Sequence, residues 1–391
     1  MALPPEVCIR GAGIVGRAMA LLLAGARVRV ALVTPQPDPQ ARAREDIRAY
    51  ALNSASRHLL ESLRAWPDSA HVTGVREMRI HGDADGCVRF SAPQQKVPAL
   101  AWIADVPALE QRLADAVRFQ PLIDEVAAPV QAPLTVVCEG RASATREALG
   151  VHYHVTRYPQ QAIAARFEAE RPHDEVARQW FNERGEVLAL LPLGGAGGRQ
   201  VALVWSAEHT HAPRLMAMDG ATFANAVRDA CGDALGALTP VGERAAWPLQ
   251  RAIADRWAGT LPGQPLDSWV LAGDAAHTVH PLAGQGLNLG LADAQALAQI
   301  IGQREHWRGV GDMRLLRRYE RTRRGDVLAM SLATDGLQQL FAQTAGPLPQ
   351  LRNWGMRSFN RTRLIKGWVA RQAMGLPAPT GRPAGTRPNA R

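Results

Sequence analysis

The stretch Val7-Cys8-Ile9-Arg10-Gly11-Ala12-Gly13-Ile14-Val15-Gly16 decides the fold class. Val7 to Arg10 is an apolar run of strand length, broken by Gly11; Ile14 to Ala24 has helical composition, and Val28 to Val33 reads as a strand again. A glycine triplet between a first strand and a first helix is the context that a dinucleotide fingerprint requires. Gly11 permits the tight turn, Gly13 lets backbone N–H groups approach a pyrophosphate at the helix N-terminus, and Gly16 lets helix and strand pack closely. An acidic residue ordinarily ends the second strand, about 20 residues on, to hold the adenosine ribose. The aligned position is Thr34, whose hydroxyl can make one hydrogen bond, with Glu45 or Asp46 as substitutes. Arg10, a charge at a strand end, is expected to point outward or lie along phosphate.

Outward from this start, residues 47 to 64 place Leu52, Leu59, Leu60 and Leu63 on one helical stripe closed by Pro67. Ala162 to Phe167, Val187 to Leu193 and Gln200 to Ser206 are strand-length runs separated by turn residues, which predicts an antiparallel sheet. Gly194, Gly195, Gly197 and Gly198 join two of these runs with no helix following, so a hairpin turn is expected rather than a phosphate loop. Trp269 to Ala272 reads as a buried strand, and Leu287 to Ile301 as a helix with Asp293 facing out. From Leu315 the chain reads helical, interrupted at Gly346 to Pro349, and Pro377 to Arg391 reads as a frayed tail.

At 391 residues, two domains and a tail are expected. With 47% hydrophobic and 21% charged residues, a disordered or collagenous chain is excluded. Lys and Arg total 45 against 36 Asp and Glu, a net charge of +9. Gly336 to Arg391 holds nine basic residues and no acid, so the whole excess sits there. A neutral body with a cationic end argues for an anionic surface or partner met by that end, and against nucleic acid gripped by the fold. Cys8, Cys87, Cys138 and Cys231 have no metal-ligand spacing and form no disulfide framework; reduced thiols and no metal are expected. No apolar run reaches about 18 residues and nothing at the start resembles a signal peptide, so a soluble or at most peripheral cytoplasmic protein is expected.

A second constellation runs from Gly273-Asp274-Ala275-Ala276-His277-Thr278-Val279-His280 through Pro281-Leu282-Ala283-Gly284-Gln285-Gly286-Leu287-Asn288-Leu289-Gly290. A strand ending in Gly-Asp lets a polyhydroxyl chain lie against the backbone and donate to Asp274; the ribityl chain of a flavin suits this. Gly284, Gln285 and Gly286 then expose backbone N–H groups at a helix start, where the dipole favours an anion such as the edge of a reduced flavin. His277 and His280 are expected to fix the loop around Pro281 rather than to act as acid or base.

With these motifs the sequence resembles the UbiH/UbiF/VisC group of ubiquinone-biosynthesis hydroxylases, flavoprotein monooxygenases built like para-hydroxybenzoate hydroxylase. The resemblance also rests on Asp46 to Leu52 with Ser56, Gln160, His173 with Ala177 and Phe181, Leu191-Pro192-Leu193, Val204-Trp205-Ser206, Trp247-Pro248-Leu249, and Arg352-Asn353 through Ala373-Met374-Gly375. It implies an α/β fold in which a Rossmann-like FAD-binding domain of the glutathione reductase type (1–70, 97–150 and 266–330) is interleaved with a substrate domain on an antiparallel sheet (71–96 and 151–265). A C-terminal helical region (331–376) and a flexible tail (377–391) complete the chain. It further implies that Gly11, Gly13 and Gly16 hold the FAD pyrophosphate, with Thr34 at the ribose position and Arg48 along the cofactor. Gly273 and Asp274 would hold the ribityl chain, and Pro281, Gly284, Gln285, Gly286, Leu287 and Asn288 would form the isoalloxazine loop. The family's middle signature is Asp-Gly followed by Ser and Arg; here Glu139-Gly140 precedes Ser143 and Arg146, so Glu139 replaces the aspartate.

The implied activity is hydroxylation of an aromatic ring on a polyprenylated phenol or quinol precursor in ubiquinone biosynthesis, with NAD(P)H as reductant and O2 as cosubstrate. Another flavoenzyme of this fold (a prenyl-lipid reductase, epoxidase or halogenase) and a non-enzymatic member of a quinone-biosynthesis assembly are the alternatives. The basic C-terminus would meet an anionic membrane at its inner face, or other quinone-biosynthesis proteins.

Overall fold

The computed structural model describes residues 3–34, 46–82, 86–182, 184–279 and 285–342, with side chains up to Met330. In chain order the strands are β1 (Val7–Arg10), β2 (Val30–Val33), β3 (Ala49–Leu52), β4 (Val72–Val75), β5 (Glu77–His81), β6 (Cys87–Ser91), β7 (Ala101–Asp105), β8 (Ile123–Val126) and β9 (Leu134–Val137). They continue with β10 (Tyr153–Ala169), β11 (Val176–Phe181), β12 (Val187–Pro192), β13 (Gln200–Glu208), β14 (Leu238–Ala254), β15 (Ala258–Leu261), β16 (Gln264–Leu271) and β17 (His277–Thr278). The helices are α1 (Ile14–Gly25), α2 (Ser54–Ser62), α3 (Ala92–Gln95), α4 (Val106–Arg118), α5 (Ala144–Ala148), α6 (Ala212–Ala217), α7 (Gly220–Ala230), α8 (Gly286–Gly302) and α9 (Met313–Ala342).

Six strands form the first sheet, in the order β15-β16-β9-β1-β2-β8. Its pairs from β16 to β8 are all parallel, and only β15 runs antiparallel, against β16. Strands covered on both faces need continuous apolar runs, and Val30 to Val33 and Leu134 to Val137 are buried at every position. Helix α1 buries Ile14, Ala18, Met19, Leu21 and Leu23 in the core shared with this sheet, α4 and α8, each large side chain contributing about 1.5–3 kcal/mol.

The antiparallel sheet expected from the middle of the chain is present. Eight strands run in the order β17-β14-β10-β13-β12-β11-β5-β6, and β12 turns into β13 through the glycine-rich hairpin. The 17-residue strands β10 and β14 exceed what the sequence runs suggest, because Pro159, Pro240 and Pro248 break the apolar pattern. Their pairing absorbs such breaks at register shifts between Arg157 and Gln161 and between Ala164 and Arg166. A third sheet, β3-β7-β4, lies beside it, and Val75, Ile103, Ala177, Leu193 and Ala202 fill the seam. Arg166 on β10 donates to the carbonyl of Ile47 at 3.0 Å and pairs with Asp105, fastening the large sheet to the segment that carries Arg48.

Two expectations are corrected. Residues 47 to 64 are not one helix: Ala49–Leu52 pairs antiparallel with β7, and the helix starts only after Asn53, whose side chain accepts from the Ser56 N–H at 2.9 Å. Asp293 does not face out. Helix α8 is covered on most of its circumference, and the Asp293 carboxylate is fully buried, accepting from Gly273 N (2.9 Å), His277 Nε2 (2.7 Å) and Arg323 Nε (2.7 Å). Burial by itself would raise this carboxyl, but His277 and Arg323 overcome it and hold it below its ordinary value.

A carboxyl depressed in the folded state contributes stability above its unfolded pKa of about 3.9, and that contribution is lost as pH falls through the folded value. Asp293→Asn is therefore expected to cost about 3–5 kcal/mol at pH 7, since it leaves Arg323 buried with its main partner neutralised. The difference from wild type should narrow on acidification. Urea denaturation of both proteins at pH 7 and at a pH well below about 3.9 checks this; an equal stability at pH 7 would remove Asp293 from its central place.

Candidate active site

Three neighbouring parallel strands end at one edge of the first sheet, and each delivers a sequence-predicted residue there. β1 delivers Gly11, β9 delivers Glu139 and Gly140, and β16 delivers Gly273 and Asp274. The open ends of parallel strands are where α/β sheets bind ligands. The three glycines of the fingerprint divide by role. A Cβ on Gly16 would sit 1.8 Å from the Gly11 carbonyl oxygen, and one on Gly11, whose φ is +108°, would sit 2.5 Å from that of Cys138. These two exist for close packing. A Cβ on Gly13 meets nothing within 4 Å, and the same holds at Gly286. Both face open space at helix starts: Gly13 is the N-cap of α1, Gly286 opens α8, and neither helix has a side-chain cap hydrogen bond. By contrast α2, α5 and α7 are capped by Asn53, Ser143 and Asp219. No described side chain caps the first N–H groups of α1 or α8, and a helix start of this kind suits an anion.

Among the described residues Asp274 is an acid of the site without a side-chain partner. Its carboxylate makes no side-chain hydrogen bond among the described residues, while its backbone carbonyl accepts from Tyr153 Oη at 2.8 Å. Burial raises its carboxyl; His277, Arg141 and Arg48 oppose this and do not cancel it. Tyr50, behind Arg48, is raised by its own burial. Asp274 thus stands among Arg48, Arg141, Tyr50 and His277 with its acceptor capacity unused. This cradle fits the group that the sequence resemblance implies: two anion-accepting helix starts at bare glycines, and a carboxylate between them for a polyhydroxyl chain.

Residues that sequence reasoning did not assign hold this arrangement. Tyr153 reaches the Asp274 turn, and the Arg146 guanidinium lies 3.8 Å over the Tyr153 ring while donating to the carbonyls of Ala275 (3.2 Å) and Arg141 (2.8 Å). Asp293 and Arg323 anchor the turn from below. An acid inside an otherwise apolar helix was the available signal for Asp293.

The other predicted residues are mostly engaged by the protein itself. Glu139 does not project freely: it accepts from Ser143 Oγ (2.8 Å), Thr145 N (3.0 Å) and Thr145 Oγ1 (2.5 Å), and Arg10 Nε lies 3.3 Å away. Burial would raise it, yet these donors and Arg10 hold it low. Arg10 thus has Glu139 as an ion-pair partner at the strand ends and stays about one-third exposed. Thr34 comes directly after β2, and its hydroxyl donates to Glu125 Oε1 at 3.1 Å. Arg48 pairs with Asp46 at 2.5 Å. Asn288 links α8 to the β3–α2 segment, accepting from Asn53 N (2.9 Å) and Ser56 Oγ (2.7 Å) and donating to the Ala51 carbonyl (2.9 Å). Gln285 and Leu287 are buried at the start of α8. His277 is held by Asp293 and stacked on Trp257. Gln160 and His173 bond to the carbonyls of Gly185 (2.7 Å) and Leu193 (3.0 Å). His280, Pro281, Gly284 and the basic C-terminal segment lie outside the described residues.

Two experiments separate packing from binding here. Gly13→Val should fold normally and lose FAD, whereas Gly16→Val should be strongly destabilised, because its side chain meets rigid backbone; thermal melts and flavin spectra distinguish them. Asp274→Asn should bind FAD about tenfold more weakly or worse. Because the Asp274 carboxyl is raised in the fold, the native state binds more protons than the unfolded chain between about 3.9 and that raised value. Stability falls as pH rises through this window, so the apo form of Asp274→Asn should be more stable than wild type at pH 7. A less stable apo variant with unchanged FAD affinity would show that Asp274 is structural.

Comparison with known proteins agrees with this geometry. The model of the FAD binding domain family matches residues 114–331. The chain is 30% identical to ubiquinone hydroxylase UbiL of Rhodospirillum rubrum, over 95% of this chain and 89% of that protein. It is 28% identical to 3-demethoxyubiquinol 3-hydroxylase of Escherichia coli, over 95% and 99%. Among solved structures, pqsL of Pseudomonas aeruginosa, a probable FAD-dependent monooxygenase, superposes with a TM-score of 0.73 at 21% identity, covering 90% of this chain and 99% of that one. An uncapped glycine cradle, an unpartnered strand-end aspartate and matches spanning nearly the whole chain place this protein in the family of FAD-dependent hydroxylases of ubiquinone biosynthesis.

Proposed function

We propose that the chain hydroxylates the aromatic ring of a polyprenylated phenol or quinol precursor, with NAD(P)H as reductant and O2 as cosubstrate. The observation that carries this reading is the Asp274 carboxylate, which no described side chain hydrogen-bonds, at the strand ends where α1 and α8 start without side-chain caps. Bound FAD supplies the passage of electrons from nicotinamide to dioxygen and the transfer of one oxygen atom to the ring. The protein's part is to bind, orient and exclude water. Gly11 and Gly16 shape the turn, Gly13 and the α1 N–H groups receive the pyrophosphate, and Asp274 accepts from the ribityl hydroxyls. Arg48 lies along the cofactor, Gly273 keeps the strand end low, and Gly286 leads into α8. Glu139, Gln285, Leu287 and Asn288 support these positions; Pro281 and Gly284, outside the described residues, would line the ring if the family resemblance holds. His277 is engaged through Nε2 by Asp293. In this reading residues 71–96 and 151–265 carry the substrate, and the apolar seam between the eight-stranded and three-stranded sheets gives an electron-rich ring a dry wall.

We further propose contact with an anionic membrane surface. Helix α9 exposes Arg314, Arg317, Arg318 and Arg321 on adjacent turns, with no ion pair to any of them among the described residues. No helix among the described residues is long and apolar enough to cross a membrane. A prenylated substrate lives in a bilayer, and a basic row draws the enzyme to it by about 1 kcal/mol per residue at the surface, screened beyond a Debye length of about 10 Å at 0.1 M salt.

Reduced nicotinamide should be consumed with stoichiometric ring hydroxylation, and the gene should complement a bacterial strain lacking one ring-hydroxylation step. Nicotinamide oxidation yielding no hydroxylated ring would favour another flavoenzyme chemistry. Wild type should co-sediment with phosphatidylglycerol vesicles at low salt and release at high salt. Replacing Arg314, Arg317, Arg318 and Arg321 by Gln should weaken sedimentation more than 100-fold while retaining FAD. Sedimentation of that variant equal to wild type would remove α9 from the contact and leave Arg357, Arg361, Arg363 and Lys366 of the C-terminal segment as its source.

A further inference from the structure

The missing acid at the end of β2 has a counterpart one strand over. Strand β8 runs parallel to β2, with Leu32 opposite Glu125 and Val33 opposite Val126. The register continues past β2, where Thr34 N donates to the Val126 carbonyl at 2.9 Å. Parallel partners project to the same face of a sheet, so the Glu125 side chain rises beside Thr34, and the Thr34 hydroxyl donates to Glu125 Oε1 at 3.1 Å. Glu125 is exposed and Thr34 half-buried at the end of the sheet that carries the glycine turn of β1, one strand from Thr34 and two from Glu125. Of the two substitute acids the sequence offers, Glu45 lies outside the described residues, and Asp46 is occupied: its Oδ1 and Oδ2 are taken by Arg48, at 2.8 and 2.5 Å, and Oδ1 also accepts from Arg48 N at 3.0 Å.

We propose that Glu125, presented by Thr34, is the acceptor of the adenosine ribose hydroxyls of FAD, so that the acid usually supplied by the second strand is supplied here by its outer neighbour. A carboxylate offers about four lone-pair sites. One receives the Thr34 hydroxyl, and the rest remain for a ribose diol. The Thr34 oxygen keeps lone pairs of its own, so the two side chains together present the acceptor set that a single glutamate on β2 would present. The pair recognises only the adenosine half of the cofactor, which makes it a determinant of FAD over FMN.

This rests on the FAD reading, and the experiment tells the two apart. Protein stripped of flavin is titrated with FAD and with FMN, monitoring flavin fluorescence, with circular dichroism to confirm folding. Glu125→Ala should raise the Kd for FAD about tenfold or more and leave that for FMN unchanged. Thr34→Glu should restore FAD affinity in the Glu125→Ala background. It should give no gain in wild type, where it sets two carboxylates side by side. An unchanged preference for FAD over FMN in Glu125→Ala overturns the inference, as does an equal loss of both flavins. A wild-type protein that binds neither flavin overturns the cofactor reading itself, and the inference with it.

Discussion

The carboxylate of Asp293 sits in the core with no exposure and three donors around it: the backbone N–H of Gly273, the ring of His277 and the guanidinium of Arg323. Each donor belongs to a different element, so one side chain joins the end of β16, the short β17 and α9 to α8. A buried charge is tolerated only when fully paired, which makes this junction all-or-none. The turn of Gly273 and Asp274 is thereby fixed, and its Asp274 carboxylate makes no side-chain hydrogen bond among the described residues. Val15 of α1 packs against this turn, where a Cβ on Gly290 would come within 2.7 Å of its Cγ2. The two helices whose starts flank the crevice therefore hold their separation through glycine and one valine.

The chemical consequence is a division between rigid support and unused capacity. Arg146, Tyr153, Glu139 and His277 are residue types often found reacting in active sites, yet each is engaged by the protein itself. Among the described residues, the start of α1 has no side-chain cap and the raised Asp274 carboxyl has no side-chain hydrogen bond. A site of this kind binds and orients a reactive cofactor rather than donating or removing protons, which is the role expected of a protein whose cofactor carries the hard chemistry.

The antiparallel half is coupled to this crevice through Arg166, which ties β10 to the carbonyl of Ile47 and to Asp105. The segment that carries Arg48 is thus braced from the sheet proposed to hold substrate. Movement of that sheet would be felt at Arg48, and through Arg48 at Asp274.

The sequence by itself determined the strand–glycine–helix start, the Gly-Asp strand end and the helix after it, because these motifs are local: a turn, a close approach and a helix N-terminus need only neighbours in the chain. It also determined the hairpin at Gly194 to Gly198, since those glycines join two strand-length runs. The tertiary structure decided everything that depended on which faces are covered. Asp293 reads as a surface acid under helical periodicity, but α8 is buried on both sides. Ala49 to Leu52 reads as helical by spacing, but β7 lies beside it and recruits it as a strand. Thr34 reads as a lost acid, and only the parallel register of β2 with β8 brings Glu125 to it from 91 residues away. Periodicity reports one chain segment at a time, whereas burial and strand register are properties of the neighbours that the fold assembles around it.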